Sequence, residues 1–189
     1  SNIQTSSGSG TITLGQSGET VSIPSGCTVT NSGTATGFGG DLTPAFSAYV
    51  GTTTVLSDAS LTTIKFDTEN FDTDSAFNTS NYTFTVPSGE GGEYFFSVRM
   101  EVEAGGNNRY DNFYIRLRKN GSSTLKEIHY YPGGADSPRT NTWELNCTAT
   151  LAAADAITVA VYMDFSAGAP QIQAYQSSSE FAGFKILGA

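Results

Sequence analysis

From residue 92 onward the chain alternates apolar and polar side chains with a period of two, in runs that only half-buried antiparallel β-strands explain. Tyr94, Phe96, Val98, Met100 and Val102 point one way, while Phe95, Ser97, Arg99, Glu101 and Glu103 point the other. The same rhythm separates Phe113, Ile115 and Leu117 from Tyr114, Arg116 and Arg118. It returns in Trp143, Leu145, Cys147, Ala149 and Leu151, and again in Ile157, Val159, Val161, Met163 and Phe165. No helical repeat competes: Leu151 to Asp155 holds helix-forming residues but spans one turn, too short to nucleate a helix. The expected fold is therefore all-β, with one wet face per sheet.

The closing run EFAGFKIL, Glu180 to Leu187, departs from this rule. Phe181, Ala182, Gly183, Phe184, Ile186 and Leu187 place apolar groups on both faces of one strand. Such a strand is expected to be covered twice, by the chain's own core on one side and by a neighbouring subunit on the other.

Residues 1–40 are different in kind. Ser and Thr fill 16 of these positions and Gly another 9, which leaves too few large apolar side chains for an independent core. Yet GTITL, ETVSI and CTVT alternate small apolar with hydroxyl residues between Gly-containing breaks, the pattern of three short strands in a repetitive β-stalk stacked on copies of itself. A flexible linker is the alternative.

Beyond residue 43 five segments carry a resemblance: PAFSAYV (Pro44 to Val50), IKFD (Ile64 to Asp67), YTFTVP with GEYFF (Tyr82 to Pro87, Gly92 to Phe96), LRKNG (Leu117 to Gly121) and EFAGFKIL. Their order and spacing resemble the complement C-one-q globular head, a family that shares its trimeric jelly roll with tumour necrosis factor. The resemblance implies a ten-stranded antiparallel jelly-roll sandwich over residues 44–189. It also implies a homotrimer, with Phe46, Tyr49, Phe181 and Phe184 at the subunit interface. One departure is visible, Ala154-Asp155 where the family has Gly-Asp; it removes the most permissive residue from a turn.

Charge and composition exclude several functions. The formal net charge is −9, from 9 basic and 18 acidic residues, and the first cation is Lys65. Nucleic-acid binding, which depends on phosphate neutralisation, is not expected. No apolar run approaches the roughly 18 residues of a membrane span, so no membrane insertion is expected. The sequence opens without a Met and reads as a fragment or processed product. Cys27 and Cys147 lie in segments of different character and are read as free, buried thiols. Sequons at Asn78, Asn81, Asn120 and Asn146 would matter only in a eukaryotic secretory pathway.

Catalytic chemistry finds few candidates. The single His, His129, reads as an outward strand residue, and Cys147 as a core thiol rather than a nucleophile. Zinc lacks the ligands it needs. Asp67, Glu69, Asp72 and Asp74 form an acidic run that reads as a solvated loop, with calcium as the functional alternative, although the Gly and terminal Glu of an EF-hand loop are missing. Arg109, Arg116, Arg118 and Lys119 read as a solvated strand face, with a polyanionic glycan as the alternative. No enzyme, metal or cofactor is expected.

Loop lengths carry the functional expectation. The long connections after residue 92 (104–109, 131–140 and 166–178) alternate with the short ones at Asn120 to Ser123 and Ala152 to Ala154. Successive antiparallel strands reverse direction, so the three long loops fall at one end. Elaborated loops on a rigid frame form a presenting surface. Asn107, Asn108, Arg109, Tyr131, Asp136, Arg139, Gln173 and Tyr175 are its candidate binding residues, suited to a host cell-surface glycan or protein. A Ser/Thr/Gly-rich β-stalk joined to such a head resembles the end of a bacteriophage tail fibre or virion knob, attached to an upstream fibre or virion protein and displayed on the virion surface. A bacterial surface or spore-coat adhesin, and a purely structural capsid or tail decoration, are the alternatives.

Overall fold

The computed structural model describes residues 11–30, 42–105, 110–132 and 139–188, and the chain divides into two units, Ser1–Phe38 and Gly39–Ala189. Among the described residues of the second unit the strands are β1 (Ala45–Tyr49), β2 (Thr54–Val55), β3 (Ser60–Thr63), β4 (Thr68–Asp72), β5 (Phe77–Asn78), β6 (Thr83–Thr85), β7 (Gly92–Glu103), β8 (Tyr110–Lys119), β9 (Ser123–Tyr130), β10 (Thr140–Leu151), β11 (Ala156–Phe165), β12 (Gln171–Ile172) and β13 (Glu180–Gly188).

They form two antiparallel sheets. The first is built on β7, which pairs with β10 along one side and with β13 along the other, followed by β1 and β4. Beyond Arg99, where β13 stops, β12 and β2 continue that second side. The second sheet runs β5-β6-β11-β8-β9. β3 lies beside β11, where the flanking Ala59 and Ile64 amides donate to the Met163 and Val159 carbonyls. This is the all-β fold that the alternation requires, in the jelly-roll sandwich that the resemblance implies; the short elements β2, β5 and β12 bring the described strands above the ten expected.

The core sits between the sheets, and aromatic rings dominate it. Phe46 stacks on Phe77 and Phe84 at 4.9 and 4.8 Å between centroids and meets Phe181 edge-on at 4.9 Å; Phe96 lies 6.0 Å from Phe181 and 5.8 Å from Phe84. Gly183 makes this arrangement possible. A Cβ there would lie 2.5 Å from the Phe96 ring and 2.9 Å from that of Phe46, closer than any real contact. The expected dual character of the last strand is thereby explained: Phe181 and Gly183 face the core, while Ala182 and Phe184 face outward and remain partly covered.

One correction concerns the trimer interface. Phe46 and Phe181 are 1% and 0% exposed inside a single chain, so they hold the two sheets together and have no surface to offer a partner. Alternation alone could not show this, because both faces of β1 and β13 carry apolar groups.

The end of the sandwich where β1 starts is closed by polar groups. Asp155 accepts from the Ala152 amide at 2.8 Å and from Asn120 Nδ2 at 2.8 Å, and Lys119 Nζ lies 2.6 Å from it. Asn120 in turn accepts from the Ala156 amide at 2.8 Å, tying the β8–β9 turn to the β10–β11 turn. Burial alone would raise the Asp155 carboxyl, but Lys119, the Ala152 amide and Asn120 together hold it below the ordinary carboxylate range. Beside it Ala154 adopts φ +68°, the left-handed conformation that the missing glycine would have taken without strain.

In the first unit, residues 11–30 contain turns and no strand within the single chain; the strands that GTITL, ETVSI and CTVT suggest are ones stacked on copies of the chain. A strand needs a hydrogen-bonded neighbour, and none is present for these residues among the described residues. Cys27 is free as expected but exposed rather than buried.

Three outcomes are expected. Gly183→Ala should lower unfolding free energy by about 1–3 kcal/mol through overpacking, measured by denaturant titration. Ala154→Gly should raise it by about 1 kcal/mol by relieving the left-handed alanine. Because the Asp155 carboxyl titrates lower in the folded than in the unfolded chain, its contribution is present above the ordinary carboxylate range and is lost as pH falls through its folded value. Asp155→Asn should therefore narrow the stability gap between neutral and acidic pH relative to wild type; an unchanged gap in pH-dependent melts would show that the network contributes nothing.

Candidate functional site

Strand register brings the long loops together. Thr140 and Gln171 both lie opposite Glu103, Phe165 opposite Tyr110, and Tyr130 opposite Phe113, and the Ala104 amide donates to the Arg139 carbonyl at 2.7 Å. The connections after β7, β9 and β11 thus leave the sandwich at one end, and the turns at residues 120–122 and 152–155 occupy the other. Asn107, Asn108, Arg109 and Asp136 lie outside the described residues. Of the other candidates, Tyr131 and Tyr175 are 69% and 63% exposed and Arg139 is exposed.

Gln173 has a different role. Its side-chain amide donates to the Glu103 carboxylate, which also accepts from Gln171 Nε2 at 3.1 Å, and its backbone amide donates to the Glu101 carbonyl at 3.0 Å. It braces the loop. The Tyr175 carbonyl accepts from the Ser178 and Ser179 amides at 3.0 Å each, Ser178 Oγ donates to Glu101 Oε2 at 3.0 Å, and Gln176 Nε2 donates to Asn70 Oδ1 at 2.6 Å. These bonds use the backbone and the neighbours of Tyr175, leaving its ring free at the surface. Beneath this end Tyr110, Phe113, Tyr130 and Trp143 form an aromatic wall with centroid separations of 5.2 to 6.0 Å, and burial pushes the Tyr110 hydroxyl up to about 12. Tyr130 therefore belongs to the packing and Tyr131 to the surface.

The outward face of the seven-stranded sheet is partly apolar. Phe95 and Phe184 lie 5.5 Å apart across β7 and β13, with Ile186 37% and Phe71 52% exposed on β13 and β4. Tyr49 is half-buried opposite Glu180. Next to them Ser47 Oγ donates to Glu180 Oε1 at 2.5 Å and accepts from Asn70 Nδ2 at 2.8 Å.

On the outward face of the other sheet the rings of Tyr114 and Tyr162 stack at 4.5 Å, Arg116 lies 4.2 Å from the Tyr114 centroid, and His129 meets Tyr114 edge-on at 5.7 Å. Sequence reasoning missed this ladder. Alternation marks each of these residues as outward, but only the pairing register shows that they are neighbours.

Among the described residues, hydrolytic and metal chemistry finds no assembled group. His129 Nε2 lies 2.5 Å from Asn112 Oδ1 on the outward face, whereas Cys147 is half-buried with its thiol pushed up by burial against the pull of Lys126. In the acidic run, Asp67 accepts from the Gly51 amide at 2.6 Å and Asp72 from the amides of Asp74, Ala76 and Phe77. These carboxylates organise turns, and no group of three metal-ligating side chains occurs among the described residues.

No protein-family model matches the sequence, and no curated protein matches it. Solved structures do match in fold. The globular domain of zebrafish complement 1qA protein superposes with a TM-score of 0.55 at 16% identity, over 77% of this chain and 99% of that one. The Eiger TNF of S. frugiperda gives 0.52 at 14% identity, over 77% and 93%, and murine APRIL 0.54 at 12%, over 75% and 98%. The class defined is a complement C-one-q and tumour necrosis factor-like jelly roll.

Tyr175→Ala and Arg139→Ala should each change stability by no more than about 0.5 kcal/mol, since neither side chain is buried. Gln173→Ala should cost more, because it strips one donor from the Glu103 carboxylate; thermal melts of the three variants check the order.

Proposed function

We propose that this chain is the non-enzymatic, trimeric head of a virion appendage, a phage tail fibre or knob, that attaches to a glycan or protein of the host surface through its loop end. The observation that carries this reading is that the connections after β7, β9 and β11 all start at one end of the sandwich, with Tyr131 and Tyr175 exposed there and the Tyr175 loop braced from below. Tyrosine supplies a rigid ring for stacking and a hydroxyl for hydrogen bonding at small entropic cost. Trimerisation is supported by the likeness to the fold of the complement and tumour necrosis factor heads and by the Phe95, Phe184 and Ile186 patch on the outward sheet face, which a partner subunit would cover. Three copies of a weak site bind a multivalent surface far more tightly than one.

A cell-attachment assay tests the reading. Tyr175→Ala and Tyr131→Ala should weaken attachment while Ser122→Ala and Ser123→Ala, at the opposite end, leave it unchanged. Equal silence of both sets overturns the reading in favour of a structural decoration. Phe184→Asp should abolish assembly in sedimentation, because an unpaired charge in an apolar interface costs about 3 kcal/mol or more. A wild-type monomer in the same experiment removes the trimer.

A further inference from the structure

Residues 11–30 repeat a short unit. Thr11-Ile12-Thr13-Leu14 is followed by Thr20-Val21-Ser22-Ile23 and by Thr28-Val29-Thr30, and Ser-Gly recurs at 17–18 and 25–26. Each Ser-Gly pair forms the centre of a tight turn: the Glu19 amide donates to the Gln16 carbonyl at 3.0 Å and the Cys27 amide to that of Pro24 at 3.1 Å. Gly18 and Gly26 adopt φ +89° and +88°. A positive φ confined to the third residue defines a type II turn, whose twist splays flanking strands instead of joining them as a hairpin. Consecutive units are therefore not directed onto one another.

What remains uncovered has a regular pattern. Ile12, Leu14, Val21, Ile23 and Val29 are 44–62% exposed, spaced two apart within each unit so that they share a face. Apart from the turn bonds, the backbone between them has no hydrogen-bonded partner among the described residues. Glu19 is the only charged residue of the segment, and its carboxylate is folded back onto the Gln16 amide at 2.8 Å. A surface with a single carboxylate, confined to one turn, and otherwise made of uncharged strand-length units is complementary to one made the same way.

We propose that residues 11–30 form an interchain β-structure in which the occupant of each apolar face and open strand edge is the same segment of other copies of this chain. Side-by-side copies in register align the units, place the aliphatic pairs together at the axis and leave Thr20 and Ser22 outside. This rests on the first unit alone and does not depend on what the loops of the second unit bind.

Cysteine crosslinking in the full chain tests it. In a Cys27→Ser, Cys147→Ser background, Thr20→Cys, Val21→Cys, Ser22→Cys and Ile23→Cys are oxidised and resolved on denaturing gels, with sedimentation run on the same samples. Crosslinked species are expected at positions 21 and 23 and are expected to be lost at 20 and 22. Equal crosslinking at all four positions, or none in a preparation that sedimentation shows to be assembled, overturns the proposal in favour of a linker. A monomeric preparation without crosslinks overturns it as well. Loop-end variants that fail in attachment while keeping the alternating pattern would sink the receptor reading and leave this one standing.

Discussion

The sandwich depends on the tight approach of β13 to the aromatic core at Gly183. Phe46, Phe96 and Phe181 come from three adjacent strands of one sheet, and their rings reach Phe77 and Phe84 in the other. A side chain at residue 183 would have to displace one of them, because interiors at crystal-like packing density have no spare volume. A register slip of one residue on β13 would drive Ala182 and Phe184 inward and Phe181 outward, so the glycine acts as a register mark as well as a gap.

Fixing the inner face fixes the outer one. Because the side-chain period is two, a buried Phe181 requires an outward Phe184, and a buried Phe96 requires an outward Phe95. The apolar patch follows from the same register that builds the core. Strand length then sets the loop end: β7 and β10 pair along twelve residues, from Gly92 opposite Leu151 to Glu103 opposite Thr140, which carries their connections to opposite ends of the sandwich without further instruction.

Much of this was legible before any coordinates. The inward sets on β7, β8 and β11 are buried as alternation requires, and the parity of long and short connections was sufficient to place the loops. Three features were not legible, each for a physical reason. Phe46 and Phe181 lie on strands apolar on both faces, where period alone does not distinguish core from interface. The Tyr114–Tyr162 stack depends on which strands are neighbours, a property of topology rather than of any one segment. The units of residues 11–30 have strand composition without a strand to pair with among the described residues, and composition cannot supply a partner.

Charge placement bears on the ligand proposed for the loop end. Arg116 is 2.5 Å from Glu127, Arg118 donates to the Gly121 carbonyl, and Lys119 is held by Asp155. Three of the four cations that could have formed a basic cluster are thus engaged in bracing β8, its turn and β9, while Lys185 is paired with Glu90 at 2.9 Å. A polyanionic ligand on that strand face would have to break these pairs and then compete with Glu127 and Asp155, so the structural role of the basic residues prevails there. Among the described residues the loop end exposes the rings of Tyr131 and Tyr175 together with one cation, Arg139, and one carboxylate, Asp111, near the carboxylates of Glu101 and Glu103, which are occupied by loop amides and a hydroxyl. Such a surface favours ligands recognised by stacking and neutral hydrogen bonding over ligands recognised by charge. In a chain of net charge −9, long-range attraction to an anionic cell surface is unfavourable as well. On the proposed receptor-binding reading, attachment would draw its strength from short-range contacts repeated across the proposed copies.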